Sequence, residues 1–289
     1  MHDPCAKTSA GSARVGGPWS SWAMGFDAQF LGVGAAMPRV READAATSVQ
    51  LDYVHFTVVL DCARRLARVT GVNVDGSQLR ELERRDRWQL DERIPAGWQA
   101  GPEVYADNDL DRGHLVRRRD PVWGSLEVAA RANADTFRYP NAAPQASGFN
   151  QSTELWLGLE DHVLEHARAH ELRLSVFTAP VLGPDDPPYR GIRVPLRFWK
   201  IAAWSTGSEL ASIGFVVDQA PLVDTGAARE PAPGEVPPLG PFRTFQVPIA
   251  DIAALTWLAM PDLVAADRLP PAVAAAGWRR IEEPGEILL

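Results

Sequence analysis

Cysteine is scarce in this chain of 289 residues, which holds only Cys5 and Cys62. Two are too few for a disulfide framework or a cysteine-rich zinc site. Cys62, in "VVLDCARRLA", reads as a small core or hairpin residue, and reduced thiols in a cytoplasm are the expectation, although two cysteines do not exclude an oxidising compartment. No apolar run comes near the ~18 residues that mark a membrane span. The opening stretch "MHDPCAKTSAGSARVGGPWSSWAMG" lacks a basic start leading into an apolar core. No secretory signal is visible there, so the default location is cytoplasmic, with signal-independent export as the alternative. Its Gly, Ser and Ala content reads as a poorly ordered leader over residues 1–22. Surplus positive charge is absent too: the formal net charge of −8 excludes a protein that binds polyanions over its whole surface.

The charge is unevenly placed. Residues 205–289 hold 5 Arg against 11 Asp and Glu. Arginine is instead concentrated in "RELERRDR" (80–87) and "DRGHLVRRR" (111–119). Either run alone is an ordinary solvated surface, yet together they allow a local cationic cleft inside an acidic protein.

Runs rich in β-branched residues predict strands at 54–61 and 66–76, joined by a turn at "CARR", and further strands at 172–182, 197–204 and 209–219. The strongest helical pattern is "STELWLGLEDHVLEHARAHEL" (152–172). Its Leu155, Leu159, Val163 and Ala167 recur at four-residue steps, with Asn150 or Ser152 as cap. "GSQLRELERRDRW" fits a short helix or a loop, and the Pro- and Gly-punctuated 91–105 reads as loop. "FRTFQVPIADIAALTWL" (242–258) reads as a strand and a short helix. With no internal repeat and no regular strand–helix alternation, the class is α+β.

D-R-G-H is four letters and weak alone. Its company is specific: "NDLDRGHLVRRRDPVWG", "ANADTFRYPNAAPQ", "FNQ", "LWLGLED" and "FWK" follow in order. In these blocks the chain resembles the DNA/RNA non-specific endonucleases, whose active site is a ββα-metal (His-Me finger) motif. The likeness implies a central antiparallel sheet and one domain over residues 23–258, with "REPAPGEVPPLGP" (229–241) as a loop inside it. Residues 259–289 would be a C-terminal extension, packed on the domain or trailing from it.

The resemblance also implies roles. His114 would be the general base that takes a proton from water, a task a neutral imidazole performs near pH 7. Arg112 beside it and a bound cation would both disfavour imidazolium. Asn150, opening the helix, would hold a magnesium ion, with manganese as the substitute; one neutral oxygen ligand suits a cation that keeps most of its waters. Asn150 is also a plain helix cap in kind, and the two jobs are compatible. Glu160 would hold a water of the ion's shell. It lies ten residues after Asn150 where eight is common, and two extra residues turn a continuous helix by ~200°. Glu154 is therefore the reserve. Asn141 matches an asparagine lining the family's site and is equally a turn residue. Arg87 would bind phosphate, with Arg85 as its competitor, while Arg117, Arg118 and Arg119 divide between substrate backbone and salt bridges.

DNA and RNA are the implied partners, with no membrane, and a nuclease made without a signal peptide motivates an inhibitory or activating protein partner. The products implied carry 5′-phosphate and 3′-hydroxyl ends. His162, His166 and His170 recur at helical spacing, but Glu165 and Arg168 interleave and no fourth ligand is evident, so they read as a solvated face. Among the ten tryptophans some are available to stack on bases, but most read as core, since Trp156 and Trp199 fall inside predicted regular elements. The rival reading is a non-catalytic nucleic-acid binder that keeps the nuclease fold.

Overall fold

The computed structural model describes residues 24–84, 86–146, 171–220 and 243–288. Its centre is an eight-stranded sheet in the order β1-β2-β3-β6-β9-β10-β11-β12, antiparallel at every pairing. These strands are β1 (Ser48–Tyr53), β2 (Phe56–Asp61), β3 (Leu66–Asp75), β6 (Arg173–Val181), β9 (Arg197–Ser205), β10 (Leu210–Asp218), β11 (Arg243–Val247) and β12 (Arg279–Ile281). Two hairpins stand apart: β4 (Leu110–His114) with β5 (Ala142–Ala146), and β7 (Pro188–Tyr189) with β8 (Ile192–Arg193). The α+β class and the antiparallel central sheet are those expected.

Alternation along the strands sends side chains to opposite faces and builds two cores. On one face Val72 and Val74 of β3, Val176 of β6 and Phe198 of β9 pack with Leu110, Leu115 and Tyr139 around the β4–β5 hairpin. On the other, Phe177, Trp199, Ile201 and Val216 meet Ile249 and Ile252 of the helix Ile249–Thr256. Fully burying each such large apolar side chain contributes about 1.5–3 kcal/mol. The helix sits hard on β10 because Gly214 leaves it room: a Cβ there would meet Ile252 Cδ1 at 2.8 Å.

The expected turn at 62–65 is present and has a mechanism. Asp61 Oδ1 accepts from Ala63 N (2.8 Å) and Arg64 N (2.9 Å), and Arg65 takes φ +62° to close the hairpin. Cys62, in that turn, is disulfide-bonded rather than reduced. The free-thiol expectation does not hold at Cys62. The chain's other cysteine, Cys5, lies outside the described residues, as does the leader.

Elements not anticipated include β1, the helix Leu126–Asp135, β12, the β7–β8 hairpin and the short helix Pro102–Tyr105, the last in a stretch read as loop. The longer helix starts at Ser125, whose side chain accepts from Val128 N, and buries Ala129 and Ala132. β12 pairs with β11 at the edge of the central sheet, so the C-terminal segment packs on the domain. Gln246 fastens its end by exchanging two hydrogen bonds with the backbone of Leu288 (2.7 and 3.1 Å). Among the described residues no helix is long and apolar enough to cross a membrane.

Candidate active site

The DRGH stretch is strand β4. It pairs with β5 from Leu110↔Ala146 to His114↔Ala142, so two of the motif blocks lie face to face. Successive side chains of a strand alternate, which puts Arg112 and His114 on one face of the hairpin. Gly113 points to the other, where a Cβ would fall 2.1 Å from Gln145 Cδ. Glycine at this position lets the Gln145 side chain lie across the strand.

His114 is clasped by aromatic rings. Trp88 is tilted against it at 4.6 Å between centroids, and Phe137 meets it edge-on at 5.0 Å. The clasp is set by the backbone, since Gln89 N donates to Phe137 O and Tyr139 N to Gln89 O, each at 3.0 Å. Nε2 of His114 is buried with no hydrogen-bond partner. An imidazolium here would leave a charged N–H unsatisfied, and burial accordingly lowers the pKa to about 3. The cations that add to this are Arg84 and Arg118, with Asp86 opposing them. The effect expected of Arg112 thus comes from other arginines. Arg84 is fixed by its ion pair to Asp86 at 2.7 Å.

A lowered value keeps the imidazole lone pair available as pH falls through 6.5. With His114 as the general base that the resemblance implies, the acid limb of kcat/KM for nucleic-acid cleavage is expected well below the ordinary histidine value, with activity held down to about pH 5. A half-point near 6.5 would contradict the buried environment. Stability moves oppositely: the unfolded chain protonates this histidine first, so its contribution is lost as pH drops from about 6.5 toward 3.

Asn141 is fully buried just before β5. Its Nδ2 donates to Val116 O and Thr136 O, both at 2.9 Å, and its Oδ1 accepts from Val116 N at 2.8 Å. Its backbone carbonyl takes Leu115 N at 3.0 Å, carrying the ladder past His114. The side chain therefore clamps the chain that leaves the histidine. Arg112 and Arg87 are exposed, with no hydrogen bond or ion pair among the described residues. Arg118 is half-buried; its Nη1 donates to Leu82 O (3.0 Å) and Asn133 Oδ1 (3.3 Å), tying the 80s segment to the helix Leu126–Asp135. Arg117 is half-buried beside it. Further on, Trp123 stacks at 3.5 Å on buried His55 and donates to Asn73 O, pinning the "DPVWG" block to the sheet.

Asn150, Glu160, Glu154, Arg85 and the histidines at 162, 166 and 170 lie outside the described residues. Among the described residues no three His, Cys, Asp or Glu side chains gather as a metal cage. Sequence reasoning missed the clasp of Trp88 and Phe137 and the charge of Arg84, although Phe137 falls within a motif block, Arg84 within the arginine run 80–87 and Trp88 directly after that run.

The hairpin thus presents His114 and the exposed Arg112 on one face, beside a broad antiparallel sheet. The family model for DNA/RNA non-specific endonucleases matches residues 38–267, and the chain belongs to that family. A protein named as a nuclease from Nostoc sp. is 28% identical over 188 residues, covering 63% of this chain and 62% of its own length. The uncharacterized protein y4fB of Sinorhizobium fredii is 42% identical over 227 residues, which cover 73% of this chain and 33% of that protein. The chain thus spans a third of one curated relative and less than two thirds of the other. The solved EndoG/EndoGI complex, described as showing the mechanism of EndoG inhibition, shares the fold at a TM-score of 0.55 and 19% identity, over 74% of this chain and 85% of the matched one.

Proposed function

We infer that this chain is a magnesium-dependent endonuclease that hydrolyses DNA and RNA with little sequence preference. The observation that carries the reading is His114: held neutral by burial, clasped by two rings, and on the same hairpin face as the exposed Arg112. In this role the imidazole removes a proton from a water aligned with phosphorus, as general base. Arg112 meets the phosphate oxygens where charge builds in the transition state. Arg87 and Arg117 extend the cationic track for the strand, and Arg118 serves chiefly by holding Leu82 and keeping His114 uncharged.

A magnesium ion belongs to this reading, and a histidine held neutral puts no charge in opposition to a cation. Asn150 would hold it, with Glu160, or Glu154 in its place, on a water of its shell. Magnesium, when bound, supplies positive charge to the phosphate and to the leaving 3′ oxygen. Departure of that oxygen gives 5′-phosphate and 3′-hydroxyl ends. Contacts limited to phosphate carry no base information, hence the lack of sequence preference. An inhibitory protein partner belongs to the same proposal; a fold relative solved with its inhibitor supports it.

The test is degradation of supercoiled plasmid and of single-stranded RNA, with magnesium and with EDTA. Cleavage of both, abolished by EDTA and restored by magnesium or manganese, is expected. Binding without cleavage by folded, magnesium-loaded protein would transfer the chain to the non-catalytic binders.

A further inference from the structure

A cavity of about 410 Å³ opens between the β2–β3 hairpin, the end of β6 and the C-terminal end of the helix Ile249–Thr256. Arg41, Arg64, Arg68, Asp44 and Trp257 line it. The catalytic reading uses none of them.

Trp257 is the feature that calls for a ligand. It ends its helix in the left-handed region, at φ +58°, where glycine or asparagine is the usual choice and a bulky side chain is strained. There the indole is held 64% exposed, one of three large apolar side chains so placed among the described residues. The Arg41 guanidinium lies over its ring at 4.8 Å. Strain that presents an aromatic face beside a cation is characteristic of a stacking platform.

The arginines below it are fixed but not used up. Arg68 Nη2 bonds Asp44 (3.0 Å) and Asp61 (2.5 Å), while its Nε is buried without a partner. Arg64 bonds Asp186 and donates to Gly183 O (2.9 Å), and its Nε is likewise buried and unpartnered. Arg41 gives only Nε to Asp44, at 2.9 Å. The three carboxylates cancel the formal charge of the guanidiniums, which disfavours a free dianionic phosphate. A phosphodiester brings one negative charge and oxygen acceptors to preorganised donors.

We propose that this cavity binds a single strand of nucleic acid away from the active site, one unpaired base stacking on Trp257 and the adjoining phosphodiester lying against Arg41 and Arg68. It rests on nucleic acid being this chain's substrate class, and it adds a hold on the strand that lets the enzyme keep its substrate between cuts. Stacking and phosphate contact both ignore base identity, in keeping with a site of low sequence preference.

The experiment uses the full chain with His114→Ala, in EDTA, so that the probe stays intact. The probe is a fluorescein-labelled oligothymidylate of roughly ten nucleotides, with 5-iododeoxyuridine for photocrosslinking. Trp257→Gly removes the ring while relieving the left-handed backbone, so it leaves the fold secure. Affinity is expected to fall on the order of tenfold, less in Arg41→Gln, and the crosslink to map to Trp257. Unchanged affinity in both variants would overturn the proposal. Displacement of the probe by thymidine monophosphate at equal concentration would overturn the strand assignment in favour of a free nucleotide. In the His114-intact background, Trp257→Gly should still cleave a dinucleotide at the wild-type rate. Failure of wild-type cleavage would sink the nuclease reading and leave this binding result standing.

Discussion

Replacing His114 by alanine is expected to lower the single-turnover cleavage rate of plasmid DNA by about 10²–10⁴-fold, the share a positioned general base supplies. Folding should be nearly unaffected. The substitution gives up ring contacts with Trp88 and Phe137, but it also removes a buried nitrogen with no partner, and the two effects oppose each other. Binding should hold, since the exposed Arg112 and Arg87 remain. Cleavage within a few-fold of wild type, in protein that melts normally, would sink His114 as the base. The rate should not recover at high pH, because the variant lacks a base rather than holding one in the wrong protonation state.

The outline of this site was legible in the sequence, because its blocks are contiguous. "DRGH" and "NAAPQ" become the two paired strands, and the turn at 62–65 follows from an aspartate that caps its own hairpin. What was not legible is what the fold brings from a distance. Nothing local says that Arg84 rather than Arg112 presses on the histidine's charge, or that Trp88 and Phe137 close on its ring. Those contacts depend on the parallel bridge between Gln89 and Arg138. The helix Leu126–Asp135 escaped notice because its buried side is built from alanines and ends on Asn133 and Asp135, a weak apolar pattern. β12 is three residues long and owes its pairing to the sheet edge it covers.

Asn141→Ala is expected to act on stability before it acts on chemistry. The side chain is fully buried and makes three hydrogen bonds to backbone groups, so truncation orphans Val116 N–H, Val116 C=O and Thr136 C=O together. Each buried unsatisfied group costs about 1–3 kcal/mol, giving a loss of roughly 3 kcal/mol or more. Against the ~5–15 kcal/mol of a typical domain this is a large fraction. Urea unfolding should show a clearly lower midpoint with the slope unchanged. Asn141→Asp separates the two readings of this residue. Aspartate keeps the acceptor for Val116 N–H but turns an acceptor toward two carbonyls and brings a charge into the core, so it should be at least as destabilising as alanine. Were Asn141 instead a residue that touches substrate, both variants would lower turnover while the midpoint stayed in place. The bonds to Val116 sit two residues beyond His114, so a clamp predicts that residual activity tracks the folded fraction and returns at low temperature.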